Sequence, residues 1–251
     1  MGTRLMHRTT RRQSLTEAGA AFYPKAVQIL QLLQEAEQDV AADTQRVSGG
    51  LRLSAPVSFG ITHLAPALAE FRRQYPEVTL DVVLNDRQVN LVEEGYDLAI
   101  RIASSLQPSL VARPLMSVEM LLCASPDYLR AHGSPKHPRD LAQHDCLVYS
   151  NDASAHEWQF QQGQEQVSVR VYGSVQSDNG EILVAAAEEG IGVVRMPRFL
   201  CQAALDSGRL QPILTDWQLP THTVYAVYAD RRWLPPRVRA LIDFLVARFG
   251  E

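Results

Sequence analysis

The sequence lacks long apolar runs and has only three cysteines. No stretch reaches the roughly eighteen consecutive apolar residues that cross a bilayer, and the arginine-rich N-terminus has no apolar core of a secretory signal. Cys123, Cys146 and Cys201 lie far apart in the sequence and form no CxxC pair. An odd cysteine count without a secretory signal favours a reducing compartment. We therefore expect a cytoplasmic protein without membrane contact, whose cysteines are buried apolar residues and not a redox switch.

The spacings that metal sites and common catalytic sites require are also missing. The histidines show no HExxH pattern. The Gly190-Ile191-Gly192 turn has no GxGxxG or GKT context, so we interpret it as the end of a helix. His144-Asp145-Cys146 contains suitable residue types for a nucleophile, but neighbours in sequence rarely face one another. We expect no enzymatic activity, no cofactor and no bound metal.

Positive charge is in deficit overall but is concentrated at the N-terminus. The chain has 24 Lys and Arg against 28 Asp and Glu, a net charge of −4, which gives no overall nucleic-acid signature. Residues 1–13 nevertheless contain four arginines and no acid. On charge alone, this segment would be a solvated terminus.

The local pattern around these arginines favours another interpretation. Two β-compatible pieces, residues 3–9 and 13–15, flank a basic turn at Arg11-Arg12, and a helix follows from Thr16. Strand, basic turn, strand and long helix are typical of the wing and exit helix of a winged helix-turn-helix. We assign residues 1–15 to such a wing.

A long helix with a heptad seam follows the wing. The helical pattern runs from Thr16, which can cap it, to about residue 44, and Pro24 predicts a kink or restart near residue 20. The apolar seam alternates spacings of four and three and comprises Phe22, Ala26, Ile29, Leu33, Ala36 and Val40. The alternative is an amphipathic helix packed on its own domain. We favour a partner helix, most simply the same helix of a second subunit, and assign residues 16–47 to a linker and dimerisation helix.

After Gly50 the periodicity becomes that of an α/β domain. Strands at residues 51–55, 78–84 and 97–103 alternate with helices at 63–75 and 89–94, which predicts a parallel sheet with helices on both faces. We expect one effector-binding domain over residues 51–251. The first lobe comprises about 51–125 and 223–251, including a strand at 118–124, and the second comprises about 126–222.

Ligands of open parallel sheets bind beyond the carboxyl ends of the strands. Three segments occupy such positions, around Ser58, around Arg101 and around Asn179, and Ser150 and Arg195 are weaker candidates. The candidate set is Pro56, Val57, Ser58, Phe59, Arg101, Ile102, Ala103, Ser150, Ser177, Asn179 and Arg195. Ser58 can contact an anion or cap a helix, and the two roles are compatible. Arg101 either clamps a carboxylate, or is exposed or in an internal salt bridge. Asn179 or Asp178 can cap the helix that they precede, and free N–H groups at its start would face the cleft.

The chain resembles the LysR-type transcriptional regulators over nearly its full length. The resemblance rests on the wing-like Leu5-Met6-His7-Arg8-Thr9-Thr10-Arg11, on Gly95-Tyr-Asp-Leu-Ala-Ile-Arg101, on Ser177-Asp-Asn-Gly180 and on Glu189-Gly-Ile-Gly192, in this order. It implies an effector domain built like periplasmic binding proteins, preceded by a long linker helix and a winged-helix DNA-binding domain.

The resemblance also implies partners. Wing residues Arg8, Thr9, Thr10, Arg11 and Arg12 would contact DNA, and the protein would act as a homodimer or homotetramer that senses a small organic acid or aromatic metabolite. The helices that precede the wing in this family are absent from the sequence, so we expect weak, salt-sensitive DNA binding without sequence preference from this chain. The alternative is a stand-alone small-solute-binding protein without DNA-binding activity.

Overall fold

The computed structural model describes residues 5–8, 13–40, 47–106, 111–152, 154–229 and 234–250. Two compact units are present, Met1–Ser48 and Gly49–Glu251. In the described ranges, no helix is both long enough and apolar enough to span a membrane.

The first unit begins with the predicted strand pair. Strand β1 (Met6–Arg8) pairs antiparallel with β2 (Gln13–Leu15), with Met6 opposite Leu15. Of the predicted first strand, residues 3–9, Leu5 lies outside β1, and Thr3, Arg4 and Thr9 lie outside the described residues. Thr9, Thr10, Arg11 and Arg12 lie outside the described residues, as does the side chain of Arg8, so their contact with DNA stays a prediction.

Helix α1 (Glu17–Val40) follows directly. The predicted cap is confirmed, because Thr16 Oγ1 accepts a hydrogen bond from the Gly19 N–H at 3.0 Å. Of the predicted kink or restart near residue 20, the restart is wrong, because the helix continues through Pro24; one proline removes only one backbone hydrogen bond of a long helix. The kink stays a prediction. Within the predicted seam, Phe22 and Ala26 are half-buried and Ile29 is 62% exposed. The side chains of Leu33, Ala36 and Val40 lie outside the described part.

The second unit contains two five-stranded sheets. The first consists of β3 (Gly49–Ala55), β4 (Val78–Leu84), β5 (Leu98–Ala103), β6 (Val111–Val118) and β14 (His222–Tyr228), in the order β4-β3-β5-β14-β6. β3 is parallel to β4 and β5, whereas β14 is antiparallel to β5 and β6. The three strands for which we predicted a parallel sheet, β3, β4 and β5, are parallel as expected, and the antiparallel β14 makes the complete sheet mixed.

The helices of this first lobe differ from the prediction at two places. A continuous helical run covers residues 57–74, with α2 (Val57–Phe59), a π-helical turn (Gly60–Leu64) and α3 (Ala65–Gln74). The predicted start at residue 63 was too late. The helix predicted at 89–94 is wrong, because this short segment forms turns closed by Gly95 at φ 69°. The closing helix α7 (Pro236–Phe249) contributes Leu241 and Leu245 to the core.

The second sheet forms the other lobe. Its strands are β7 (Met120–Ala124), β8 (Cys146–Tyr149), β11 (Gln176–Ser177), β12 (Val193–Pro197) and β13 (Gln211–Pro212), in the order β11-β8-β12-β7-β13. Helices and a hairpin cover it, namely α4 (Pro126–His132), α5 (Gly180–Glu188), α6 (Arg198–Asp206) and the strands β9 (Glu157–Gln162) and β10 (Glu165–Arg170).

The predicted lobe boundary at residue 125 requires correction. Val118 pairs with His222 in the first sheet, whereas Met120 pairs with Pro197 in the second. The chain therefore changes lobes at Glu119, and β7 belongs to the second lobe. One apolar run in the sequence divides between two sheets because backbone pairing, and not hydrophobicity, assigns a strand to its sheet.

The cysteines are buried in the second lobe, and two of them are neighbours. Cys123 and Cys201 lie in one apolar cluster, and a hydrogen bond between their thiols raises the pKa of Cys201 and lowers that of Cys123. The sequence spacing had suggested no such pair. Burial raises the pKa of Cys146 to about 12. All three side chains have no exposed surface.

We expect no rapid disulfide formation in spite of this contact, because peroxide reacts with exposed thiolates and these thiols are inaccessible. The measurement is counting of free thiols in the folded protein after brief peroxide treatment, with urea-unfolded protein as the control. Rapid loss of two thiols in the folded protein would contradict this expectation.

Candidate functional site

A cavity of about 830 Å³ lies between the two lobes. Seven of the predicted effector residues line it, namely Pro56, Ser58, Phe59, Arg101, Ile102, Ala103 and Arg195. Aromatic side chains from both lobes, including Phe59, Trp158 and Phe199, form part of its wall. Trp158 is buried and also lines the cavity.

The start of the helical run at residue 57 places Ser58 in the wall. Ser58 is 7% exposed, and its carbonyl accepts a hydrogen bond from the Thr62 hydroxyl at 2.7 Å. Ser58 does not cap the helix, since the capping position is Pro56, which makes no side-chain capping bond. The Val57 N–H instead donates to Asp86 Oδ1 at 2.9 Å.

Asp86 is the residue of this site that sequence reasoning missed. Its other carboxylate oxygen accepts from Asn179 Nδ2 at 2.9 Å, and its backbone carbonyl accepts from Asn151 Nδ2 at 2.8 Å. Asp86 follows β4, whereas both asparagines belong to the second lobe, so it connects the lobes across the cleft. The signal was present, because Asn85-Asp86 follows the carboxyl end of a strand, where ligands of such sheets bind.

Arg101 reaches the cavity from within β5, and not from beyond its carboxyl end as we expected. Its guanidinium donates to the carbonyls of Arg87 at 3.3 Å and Val89 at 2.8 Å. Burial lowers the pKa of Arg101, while the nearby Glu94 carboxylate raises it. Glu94 itself is ion-paired with Arg87, whose hydrogen bond brings the pKa of Glu94 to about 2. Arg101 is therefore neither exposed nor in the internal salt bridge that we had considered; its hydrogen bonds among the described residues go to neutral carbonyls.

Arg195 has a different environment in the middle of β12. It is 7% exposed, forms an ion pair with Asp152 at 2.5 Å and lies 5.2 Å from the Trp158 ring centroid. Burial lowers the pKa of Arg195, and the charge of Asp152 raises it. Because its charge is already compensated, Arg195 is a weaker candidate for anchoring an anion than Arg101.

The remaining predicted residues lie beside the cavity rather than in its wall. Asn179 Oδ1 caps α5 by accepting from the N–H groups of Glu181 and Ile182 at 3.1 and 3.2 Å. The Ser177 hydroxyl accepts from the Asn179 N–H at 3.0 Å, and the Ser150 N–H donates to the Ser177 carbonyl at 2.9 Å. The hydrogen bonds of Ser150 and Ser177 thus connect segments of the second lobe to each other.

Three partly buried histidines predict an acid-sensitive fold. Burial is the largest cause of a lowered pKa for His63, His144 and His222, and His63 and His222 lie at or beside the cleft. In the unfolded chain these groups take up protons near the ordinary pKa of about 6.5. A lowered folded-state pKa therefore leaves stability unaffected above that pH and reduces it as the pH falls below it.

We expect the free energy of unfolding in urea to be lower at about pH 5.5 than at about pH 7.5, because only the unfolded chain gains these protons readily. The variant His222→Gln should show a smaller difference between the two pH values. Equal stability of the unchanged protein at both pH values would contradict this prediction.

Comparisons with known proteins agree with this architecture. The family model of the LysR substrate binding domain matches residues 44–250. An uncharacterized HTH-type transcriptional regulator of Haemophilus influenzae is 34% identical over 239 residues, which cover 95% of this chain and 83% of that protein. The HTH-type transcriptional activator TtdR of Escherichia coli is 34% identical over 248 residues, with 98% and 80% covered.

Solved structures of regulators are similar to the chain as well. AphB, a virulence activator of Vibrio cholerae, matches with a TM-score of 0.72 and 29% identity over 98% of this chain and 84% of that one. The LysR-type regulator CrgA of Neisseria meningitidis matches with a TM-score of 0.69 and 32% identity over 100% and 85%. The matched family, the regulators that resemble the chain over most of their length and the two-lobed effector domain agree: the chain belongs to the LysR-type transcriptional regulators.

Proposed function

We propose that this regulator binds a small organic acid in the cleft between its lobes and that Arg101 holds the carboxylate of the acid. The observation that carries the proposal is the environment of Arg101. Its guanidinium is removed from much of the solvent and lines the cavity, while its hydrogen-bond acceptors in the described structure are two uncharged carbonyls. A carboxylate is the natural partner of such a guanidinium, because it accepts two parallel hydrogen bonds and neutralises the charge.

The size and the lining of the cavity favour a small ligand with an apolar part. About 830 Å³ lies within the range of small-molecule sites, which combine an apolar wall with few polar anchors. Phe59, Phe199 and Ile102 supply apolar surface, and Ser58 supplies a hydroxyl. An aromatic acid fits this combination, because its ring would contact the aromatic wall while its carboxylate meets Arg101.

Effector binding would be coupled to DNA binding through the arrangement of the subunits. An effector that binds one arrangement of the lobes more tightly shifts the population toward it. The predicted heptad seam of α1 would join two subunits, and the wing at residues 8–12 would contact DNA phosphates. We propose a homodimer or homotetramer that acts on DNA in the cytoplasm.

The proposal is tested with the variant Arg101→Ala. A panel of small carboxylates, including benzoate and succinate, is screened by thermal shift, and the tightest binder is titrated by calorimetry. Loss of a buried charged hydrogen bond should weaken binding by about ten- to a hundredfold. The control is Arg113→Ala, which removes an exposed arginine on β6 outside the cavity wall.

A thermal melt accompanies each titration. Arg101→Ala should fold and lose affinity, whereas Arg113→Ala should retain it. Unchanged affinity in a folded Arg101→Ala variant would remove Arg101 from the site and leave Ser58 as the principal anchor.

A further inference from the structure

We propose that the Asp86 carboxylate is a built-in ligand of the cleft, which keeps the two lobes together until an effector acid that binds Arg101 releases it. The role of the effector in this statement rests on the proposed function above. The bridge itself rests on contacts that one residue of the first lobe makes with two asparagines of the second.

The geometry uses both carboxylate oxygens. Oδ1 accepts from the Val57 N–H at 2.9 Å, at the start of the helical run of residues 57–74, and Oδ2 accepts from Asn179 Nδ2 at 2.9 Å. The carbonyl of Asp86 accepts from Asn151 Nδ2 at 2.8 Å. Two of these three bonds cross the cleft. Asn179 is itself fixed, because its side-chain oxygen caps α5.

These partners are those that a ligand carboxylate would use. They are amide N–H donors, one of them at the N-terminal end of a helical run, where aligned backbone dipoles favour negative charge. Asp86 thus supplies from within the chain the functional group that the effector is proposed to bring.

Arg101 connects the effector to this bridge. Its guanidinium donates hydrogen bonds to the carbonyls of Arg87 and Val89, which belong to the same segment as Asp86. An acid that draws the guanidinium into a bidentate pair would weaken these bonds to the segment that carries Asp86. Effector binding would then release the bridge, and the release would change the separation of the lobes.

The bridge is tested without an effector by measuring the distance between the lobes. Spin labels are attached to Ala69→Cys on α3 and Ala203→Cys on α6, two exposed positions, and the distance distribution is recorded by double electron–electron resonance. The native cysteines have no exposed surface and will not react with the label. Asp86→Ala should reduce the ratio of closed to open lobes by about tenfold, the effect of one lost charged hydrogen bond.

Acetate provides a chemical rescue of this variant. If the vacated position binds a carboxylate, acetate should restore the closed distances in Asp86→Ala, and chloride at equal ionic strength should not. The control Asp81→Ala removes an exposed carboxylate on β4 and should behave like the unchanged protein, with or without acetate. An open variant that acetate fails to close would overturn the claim that the position is a carboxylate site.

A second variant tests the bridge from the other lobe. Asn179→Asp keeps a side chain that caps helices well, but it replaces the donor to Asp86 with a carboxylate, so the lobes should open. If Asp86→Ala does not fold, this variant still tests whether the contact between Asp86 and Asn179 keeps the lobes closed. Closed distances in Asn179→Asp, or in a folded Asp86→Ala, would overturn the bridge. Failure of the acid screen would instead contradict the proposed function and leave these distances unaffected.

Discussion

Replacing both Ile29 and Leu33 with Asp in helix α1 is expected to convert the protein into monomers. Ile29 is 62% exposed in the single chain, and it belongs to an apolar seam with the heptad spacing that two helices bury against each other. Four carboxylates at the centre of a two-helix interface would be desolvated without partners, which costs several kcal/mol for each charge. The measurement is the molar mass by light scattering after size-exclusion chromatography.

A matched control separates the seam from the helix itself. Gln28→Asp with Gln31→Asp introduces the same charges on α1 but outside the seam, so this variant should keep the oligomeric mass. If the Ile29 and Leu33 variant keeps the unchanged mass, the seam is not the subunit interface. The side chain of Leu33 lies outside the described residues, so its part in this prediction rests on the sequence spacing.

The variant Asp152→Ala is expected to lose about 3–5 kcal/mol of the free energy of unfolding. Asp152 is the carboxylate partner of Arg195, whose side chain is only 6% exposed. Without Asp152, the guanidinium remains buried against Trp158 without a counter-charge. The measurement is the midpoint and slope of equilibrium unfolding in urea.

An exposed ion pair in the same lobe provides the comparison. Asp127 pairs with Arg130 on α4, and both side chains are more than 70% exposed. Asp127→Ala should therefore change stability by less than about 1 kcal/mol. A double variant, Asp152→Ala with Arg195→Met, should recover much of the loss because no charge remains buried. Equal losses for Asp152→Ala and Asp127→Ala would contradict the role of burial.

Local chemistry was sufficient to predict many elements and their ends. The bounds of β4 matched the prediction, and Thr16 caps α1 as expected from its hydroxyl. Gly190 lies just beyond the end of α5, as predicted, with φ 78°, a conformation that glycine adopts without a Cβ penalty. These features depend on residues within a few positions of one another, so the sequence contains the necessary information.

Pairing between distant segments was not predictable in the same way. The strand predicted at residues 118–124 divides at Glu119 between two sheets, and the predicted helix at 89–94 forms turns. Whether β14 runs parallel or antiparallel to β5 is decided by where the chain returns from the second lobe. The periodicity of a segment indicates which face of the strand or helix is apolar, but it does not indicate which strand will pair with that segment.

The candidate site shows the same division. The sequence alone determined that Ser58 follows a strand and that Arg101 belongs to the last residues of one, and both line the cavity. Only the tertiary structure decided which groups these side chains contact. Arg101 donates hydrogen bonds to neutral carbonyls, and Arg195 forms an ion pair with Asp152. Asp86 accepts a hydrogen bond from the Val57 N–H. Each outcome depends on a group 12 to 43 positions away along the chain. Hydrogen bonds and ion pairs act over a few ångströms in space, and folding sets those distances irrespective of separation along the chain.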